Sequence, residues 1–210
     1  MAQGLKGRFI TFEGSEGSGK STQIALLEKY LKEQKRKVLV LREPGGVKIS
    51  EKIREILLDV DNKGMSDACE TLLYMAARAQ LVEEVVAPAL KKGLIVLCDR
   101  YLDSTLAYQG YGNGVDLGII KTIGAFATRK IMPDLTFVFD IAAEKGLARI
   151  NHRAKDRIEQ RKLAYHNKVR RGYLAIAKKE PGRVKVVEVD KTKEEIHAVI
   201  KSYVDRVLDP

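Results

Sequence analysis

At 210 residues, with 45% hydrophobic and 31% charged side chains, the chain has an ordinary globular composition. Its length suits one compact α/β domain, able to bury roughly 70% of its unfolded surface. The formal net charge is +10, yet thirteen Lys/Arg and only three Asp/Glu fall between Arg149 and Lys185, so the remainder is neutral overall. A basic excess confined to one segment argues against a nucleic-acid-binding surface and for a clamp on a polyphosphate, with part of it, such as Lys178 and Lys179, a solvated helix face.

The first β-rich run, 9–12, ends in Gly14-Ser15-Glu16-Gly17-Ser18-Gly19-Lys20-Ser21, and a helical pattern follows over 20–35 with Ile24, Leu27, Tyr30 and Leu31 on one face. This is a complete G-x-x-x-x-G-K-[ST] loop between strand and helix. Free backbone N–H groups and the helix dipole converge there on an anion, Lys20 reaches the β/γ-phosphates, and the Ser21 hydroxyl ligates Mg²⁺. The chain is therefore expected to bind a nucleoside triphosphate, with Thr22 at the edge of the site.

Further runs at 38–41, 94–98, 135–139 and 184–189 alternate with helical patterns at 49–59, 67–92, 104–108 with 116–130, 144–179 in one or two pieces, and 193–208. Near-continuous apolar strands between helices predict a five-stranded parallel sheet covered on both faces, with the alternating last strand at an edge. No repeat or linker divides the chain, so 1–210 reads as a single domain. Residues 1–8 lack the apolar stretch of a secretory signal and lead straight into the first strand. No apolar run approaches the roughly 20 residues that span a bilayer. Cys69 and Cys98 suggest neither a metal site nor a disulfide framework, which makes a reducing cytoplasm the expected location.

In such sheets ligands gather beyond the carboxyl ends of the strands. Arg42-Glu43-Pro44-Gly45-Gly46 follows the second strand and Asp99-Arg100-Tyr101 the third. Asp99 stands where an acid that holds Mg²⁺ belongs, and Arg42 and Arg100 can each grip a phosphate in parallel hydrogen bonds. Two such arginines exceed the needs of one triphosphate and imply a phosphorylated acceptor. Tyr74 and Arg78, spaced i, i+4, share a helix face suited to a planar base, although periodicity alone makes Tyr74 core and Arg78 a surface charge. Thr105, Tyr108 and Gln109 lie just beyond Asp99, and the Gln109 amide could read a base edge. Arg149, Arg153 and Arg157 precede Ile158-Glu159, where a mobile arginine could stabilise a transferring phosphoryl group.

Six strings in order and at matching spacing, FEGSEGSGKST, REPGG, LLYMAARAQ, DRYLDSTLAYQG, PDLTFVFD and DRIEQ, make the chain resemble the thymidylate kinases over nearly its whole length. The resemblance implies a P-loop nucleoside-monophosphate-kinase fold with a small lid near 146–160. It also implies a cytoplasmic homodimer and the Mg²⁺-dependent reaction of ATP with dTMP to give dTDP and ADP. By the family pattern Arg42 and Arg100 hold the dTMP phosphate, and Tyr74 stacks on thymine while Arg78, Thr105 and Gln109 address its edge. Tyr108 crowds the sugar, Glu16 approaches the 3′-hydroxyl, and Arg149 packs on the donor adenine. Asp99 and Glu43 organise Mg²⁺ and water. Because position 17 is Gly17, the chain is similar to the group whose catalytic arginine lies in the lid, so Arg153 or Arg157 supplies that charge. The chain departs from the pattern at Val47, Asn113 and Arg161, where threonine, arginine and an acidic residue are usual.

A kinase of another nucleoside monophosphate or of a deoxynucleoside is the alternative reading. A P-loop ATPase acting on nucleic acid is disfavoured by the confined charge, and a GTPase switch by the lack of an Asn-Lys-x-Asp string.

Overall fold

A computed structural model describes residues 5–208, so the first four residues of the N-terminal stretch and the last two of the chain lie outside it. Five parallel strands, β1 (Arg8–Gly14), β2 (Val38–Arg42), β3 (Ile95–Asp99), β4 (Leu135–Asp140) and β5 (Val184–Glu188), lie in the order β2-β3-β1-β4-β5. Phe9 registers with Val96 and Ile10 with Leu135, so the two most buried neighbours flank β1. Period-two alternation along β1 then sorts the layers. Ile10 and Phe12 face a core built with α1 (Lys20–Glu33) and α9 (Lys193–Leu208). Phe9 faces the larger core, formed with α3 (Asp67–Leu81), α6 (Leu117–Ala127) and α8 (Leu163–Lys179).

β5 is an edge strand, as its polar–apolar alternation predicts. β2 is the other edge, and its apolar Val-Leu-Val-Leu is only partly covered, with Val40 among the exposed hydrophobics. An apolar run alone does not distinguish a central strand from an edge strand screened on one side.

The predicted helix 67–92 is continuous in direction but not in hydrogen bonding. A π-helical segment, Val82–Val86, joins α3 to α4 (Ala87–Lys91). Pro88, in the first turn of α4, has no N–H and would crowd the carbonyl four residues back, and the wider turn accommodates it. A second π segment, Leu106–Gly112, continues α5 (Leu102–Thr105). The 144–179 region forms two pieces, α7 (Ala143–Arg149) and α8, separated by an irregular stretch. The remaining helix, α2 (Lys48–Leu58), packs on α3.

One buried polar system ties β5 to the centre of the sheet. Arg183, just before β5, forks onto Asp103 at 2.7 and 3.0 Å and donates to Thr136 Oγ1 at 2.8 Å. Thr136 in turn meets Thr11 across β1 and β4 at 2.7 Å. Asp103 is essentially inaccessible, so its charge depends on this partner. Arg183→Met should therefore cost about 3 kcal/mol of stability, and Arg183→Met with Asp103→Leu should recover most of it. Urea unfolding midpoints of the two variants check this; a single variant within about 0.5 kcal/mol of wild type would contradict the assignment.

Candidate active site

A cavity of about 960 Å³ opens at the carboxyl ends of β1, β2 and β3. The phosphate loop forms its floor. α1 starts at Lys20 behind Gly19, and no side chain caps its first turn, which leaves those N–H groups available to an anion. Gly17 and Gly146 pack α7 directly onto this loop. A Cβ at Gly17 would stand 2.3 Å from the Gly146 carbonyl oxygen, and one at Gly146 would stand 2.4 Å from that of Glu16. Position 17 therefore has no room for an arginine in this arrangement. Arg149 adds a hydrogen bond to the Gly17 carbonyl at 3.1 Å.

Lys20 donates to the carbonyls of Gly14 and Ser15 at 3.3 and 3.2 Å, within its own loop. Burial and the neighbouring Arg100 lower its pKa against the opposing pull of Glu16, Asp99 and Glu13. Ser21 and Thr22 lie on the cavity wall, and among the described residues Ser18 Oγ and Asp99 Oδ1 are buried without a partner. An unpartnered carboxylate oxygen beside a P-loop serine is the donor set that suits Mg²⁺, which usually takes one or two protein carboxylates and completes its shell with phosphate and water. The residues present therefore fit that ion.

Arg100 occupies the centre. Its backbone is left-handed, with φ 74°, a conformation that costs a non-glycine residue about 1 kcal/mol or more. Hydrogen bonds on both sides impose it: Arg100 N–H to Phe12 O at 2.9 Å and Tyr101 N–H to Glu13 Oε1 at 2.7 Å. Its guanidinium donates to Gly14 O at 2.9 Å, to the Tyr173 hydroxyl at 3.1 Å and to Glu16 at 2.5 Å, and it lies over the Tyr108 ring. Glu16 also accepts from Tyr108 at 3.0 Å. Burial opposes the Glu16 charge, but Arg100 and Lys20 outweigh it and bring the carboxyl down to about 2. Glu13 contrasts with it: burial and the nearby Asp103 carry it up to about 7, while Ser104 and Tyr173 donate to it.

The end of β2 supplies Arg42, half exposed, which pairs with Glu51 at 3.0 Å and donates to Pro44 O at 3.2 Å. Arg54 donates to the same carbonyl at 2.8 Å and also lines the cavity. Sequence reading missed Arg54, although a signal existed: it shares a helix face with the buried Ser50 and Leu57. A charge on the inward stripe of a helix calls for an explanation.

Arg78 overturns the periodicity reading of a surface charge. It is 2% exposed, with Nε on Glu43 at 2.7 Å, Nη1 on Thr105 at 3.0 Å and Nη2 on Tyr101 O at 3.0 Å. Four elements thus meet on one guanidinium. Glu43 keeps its other oxygen unpartnered, and burial raises its pKa against the pull of Arg78. Tyr74 is half-buried on the same wall, and burial and Glu70 push its phenol up. Gln109 lines the wall beside it and donates to Glu70 at 2.9 Å.

The structure separates the two arginines expected in the lid. Arg153 lines the cavity, half exposed, in a fork on Glu159 at 2.9 and 2.5 Å. Arg157 is buried away from it, on Leu57 O at 2.8 Å and Glu70 at 2.7 Å. Asn113 and Arg161, two of the three departures from the family pattern, are bonded to each other and both to Glu70. Of the predicted site residues only Gly14, Ser15 and Arg157 lie off the cavity wall. Part of the basic segment neutralises carboxylates elsewhere, as in Arg170–Asp140, Arg183–Asp103 and Arg161–Glu70, and of its Lys and Arg residues only Arg149 and Arg153 line the cavity, so the expected clamp narrows to these two.

The family described as thymidylate kinase matches residues 12–200. A thymidylate kinase of Symbiobacterium thermophilum is 48% identical over 200 residues, covering 95% of this chain and 94% of the relative. One of Geotalea daltonii is 50% identical over 199 residues, covering 89% and 93%. The crystal structure of thymidylate kinase from Ehrlichia chaffeensis superposes with a TM-score of 0.78 at 32% identity, covering 94% of this chain and 98% of that one.

The low pKa of Glu16 has a testable sign. Because its folded value, about 2, lies below the ordinary 4.5, its contribution is full above about pH 4.5 and is lost as pH falls toward 2. The stability gap between wild type and Glu16→Gln, measured by urea unfolding across pH, should be constant near neutrality and close below pH 4.5. A gap that persists unchanged at pH 2.5 would contradict this.

Proposed function

The chain belongs to the thymidylate kinase family, and from that premise we propose how its residues carry out the transfer of the γ-phosphoryl group of ATP to dTMP, giving dTDP and ADP. The observation that carries the account is the state of the cations. Lys20, Arg42, Arg100 and Arg153 border one cavity, and each is held by a protein oxygen that a phosphate can replace.

The loop from Gly14 to Thr22 receives the ATP phosphates, and Lys20 exchanges its backbone carbonyls for them. Ser21 and Asp99 would hold Mg²⁺, with Glu43 acting through water, and the ion would supply neutralisation of phosphate charge. Arg149 packs on the adenine. Arg42 and Arg100, joined by Arg54, hold the acceptor phosphate in line with the donor. Tyr74 stacks on thymine, and Arg78, Thr105 and Gln109 meet its edge. Tyr108 and Glu16 enclose the deoxyribose, where the Tyr108 ring leaves little room for a 2′-hydroxyl. The acceptor is already an anion, so no general base is needed, and positioning with charge neutralisation supplies the rate.

Arg153 is assigned the transition-state charge, because it borders the cavity and is tied only within the lid, to Glu159 and Ala154 O. Arg157 is assigned to anchoring the lid. We take 1–210 as one catalytic domain with its lid near 146–160. The assembly is assigned as a homodimer through an apolar face that Leu72, Ile119 and Phe126 share across α3 and α6; Phe126 is 85% exposed. The confinement of the basic excess to one segment, part of which is engaged in ion pairs, supports the exclusion of nucleic acid as a partner. Among the described residues no helix is long and apolar enough to cross a membrane. Two free thiols, Cys69 exposed and Cys98 buried, fit a reducing cytoplasm.

A coupled ADP-release assay with ATP and dTMP, dUMP, UMP, dCMP and thymidine tests the reading; dTMP should give the highest kcat/KM, and preference for another acceptor would overturn it. Arg153→Ala should lower kcat roughly 100-fold or more with little change in Tm, whereas Arg157→Ala should lower Tm by several degrees. The reverse pattern would exchange their roles. In light scattering, wild type should have twice the chain mass and Phe126→Asp should shift toward the monomer; a monomeric wild type would remove the dimer assignment.

A further inference from the structure

Glu70 is fully buried and does not itself line the cavity. An ionised carboxylate accepts about four hydrogen bonds, two on each oxygen, and donates none. Here three hydrogen bonds and one further ion pair surround it. Oε2 takes Arg157 and Arg161, both at 2.7 Å, and Oε1 takes the side-chain amides of Gln109 at 2.9 Å and Asn113 at 3.1 Å. Asn113 is locked a second time, since its oxygen accepts from Arg161.

This arrangement decides which end of the Gln109 amide is free. One N–H of the nitrogen is committed to Glu70, which orients the amide, and among the described residues no group donates to the Gln109 side-chain oxygen, which is left for a ligand in the cavity wall. Beside it, four of the five Arg78 N–H bonds have acceptors, in Glu43, Thr105, Tyr101 O and Met75 Sδ, which leaves one donor. The wall therefore offers an acceptor next to a donor. A 4-oxo pyrimidine presents the complement, an N3–H donor beside a carbonyl acceptor. Cytosine presents the opposite, with a bare N3 beside an amino group.

We propose that Glu70 is a specificity-determining positioning residue, whose carboxylate fixes the Gln109 amide so that only pyrimidines carrying an N3–H are matched at the base edge. The inference rests on the assignment of Gln109 to the base edge above. The two cations on Oε2 do more than neutralise the charge. They also prevent an uncharged isostere at position 70 from turning its own amino group toward them. In Glu70→Gln that amino group must point at Gln109 and Asn113, so Gln109 turns its oxygen away from the base and its amino group toward it.

The measurement is the ratio of kcat/KM for dTMP to that for dCMP, in wild type and in Glu70→Gln, Arg161→Gln and Gln109→Ala, with urea unfolding of each. Glu70→Gln should lower the ratio at least about tenfold, as expected for a reversed buried hydrogen bond. Arg161→Gln, which removes one cation from Glu70 but leaves the Glu70 charge, should lower stability and leave the ratio within twofold. Gln109→Ala should collapse the ratio. A normal ratio in Glu70→Gln with a collapsed one in Gln109→Ala overturns the role of Glu70 and spares the base-edge reading. A normal ratio in Gln109→Ala overturns the base-edge reading itself. Should Glu70→Gln fail to fold, Glu70→Asp decides, since it keeps the charge but withdraws it from Gln109 by one methylene. Its ratio should fall at least threefold, and an unchanged ratio refutes the proposal.

Discussion

Everything around the cavity depends on how Arg100 is held at the end of β3. A left-handed arginine is unfavourable on its own and persists because hydrogen bonds from both flanking peptides to β1 and Glu13 impose it. The turn brings the guanidinium back over the phosphate loop, where Glu16 and Tyr108 meet it. Glu13 lies beneath, accepting from Tyr101 N–H, Ser104 and Tyr173, and so joins β1, α5 and α8 to the same residue. One backbone conformation thereby places the Arg100 guanidinium against the phosphate loop.

A site that must bind two highly charged anions faces an electrostatic problem when empty, because several cations crowd a partly desolvated space. The structure answers it by giving each cation an internal oxygen: Glu16 for Arg100, Glu51 for Arg42, Glu159 for Arg153 and loop carbonyls for Lys20. Such pairs lie near balance between desolvation and attraction, so exchange for phosphate oxygens carries little net penalty. Four other arginines of the basic segment serve the fold. Arg157, Arg161, Arg170 and Arg183 each satisfy a carboxylate on another element, and this explains why a segment of +10 presents few free charges to the cavity.

Strands and the phosphate loop were legible because they depend on local rules, namely apolar runs, glycine spacing and the strand-to-helix change of period. Side chains read by periodicity fared less well. Arg78 looks like a surface charge from its helix register, but four partners from three other segments and its own helix bury it. Arg54 escaped notice because its helix is short and its inward stripe mixes Ser50 with Leu57. The π segments were invisible to period 3.6. One follows from Pro88, and the other carries Tyr108 and Gln109 on a single widened turn, so that both line the cavity.

Sequence alone determined the class of the fold, the triphosphate loop, the two arginines at neighbouring strand ends and the family, since each is encoded in contiguous residues or in their order. Tertiary structure alone decided which lid arginine borders the cavity, because Arg153 and Arg157 are four residues apart and differ only in what surrounds them. It also showed that Asn113 and Arg161, departures 48 residues apart, meet on the buried carboxylate of Glu70. The physical reason is the same in both cases. A buried charge takes its role from the partners that desolvate and neutralise it, and those partners come from distant parts of the chain.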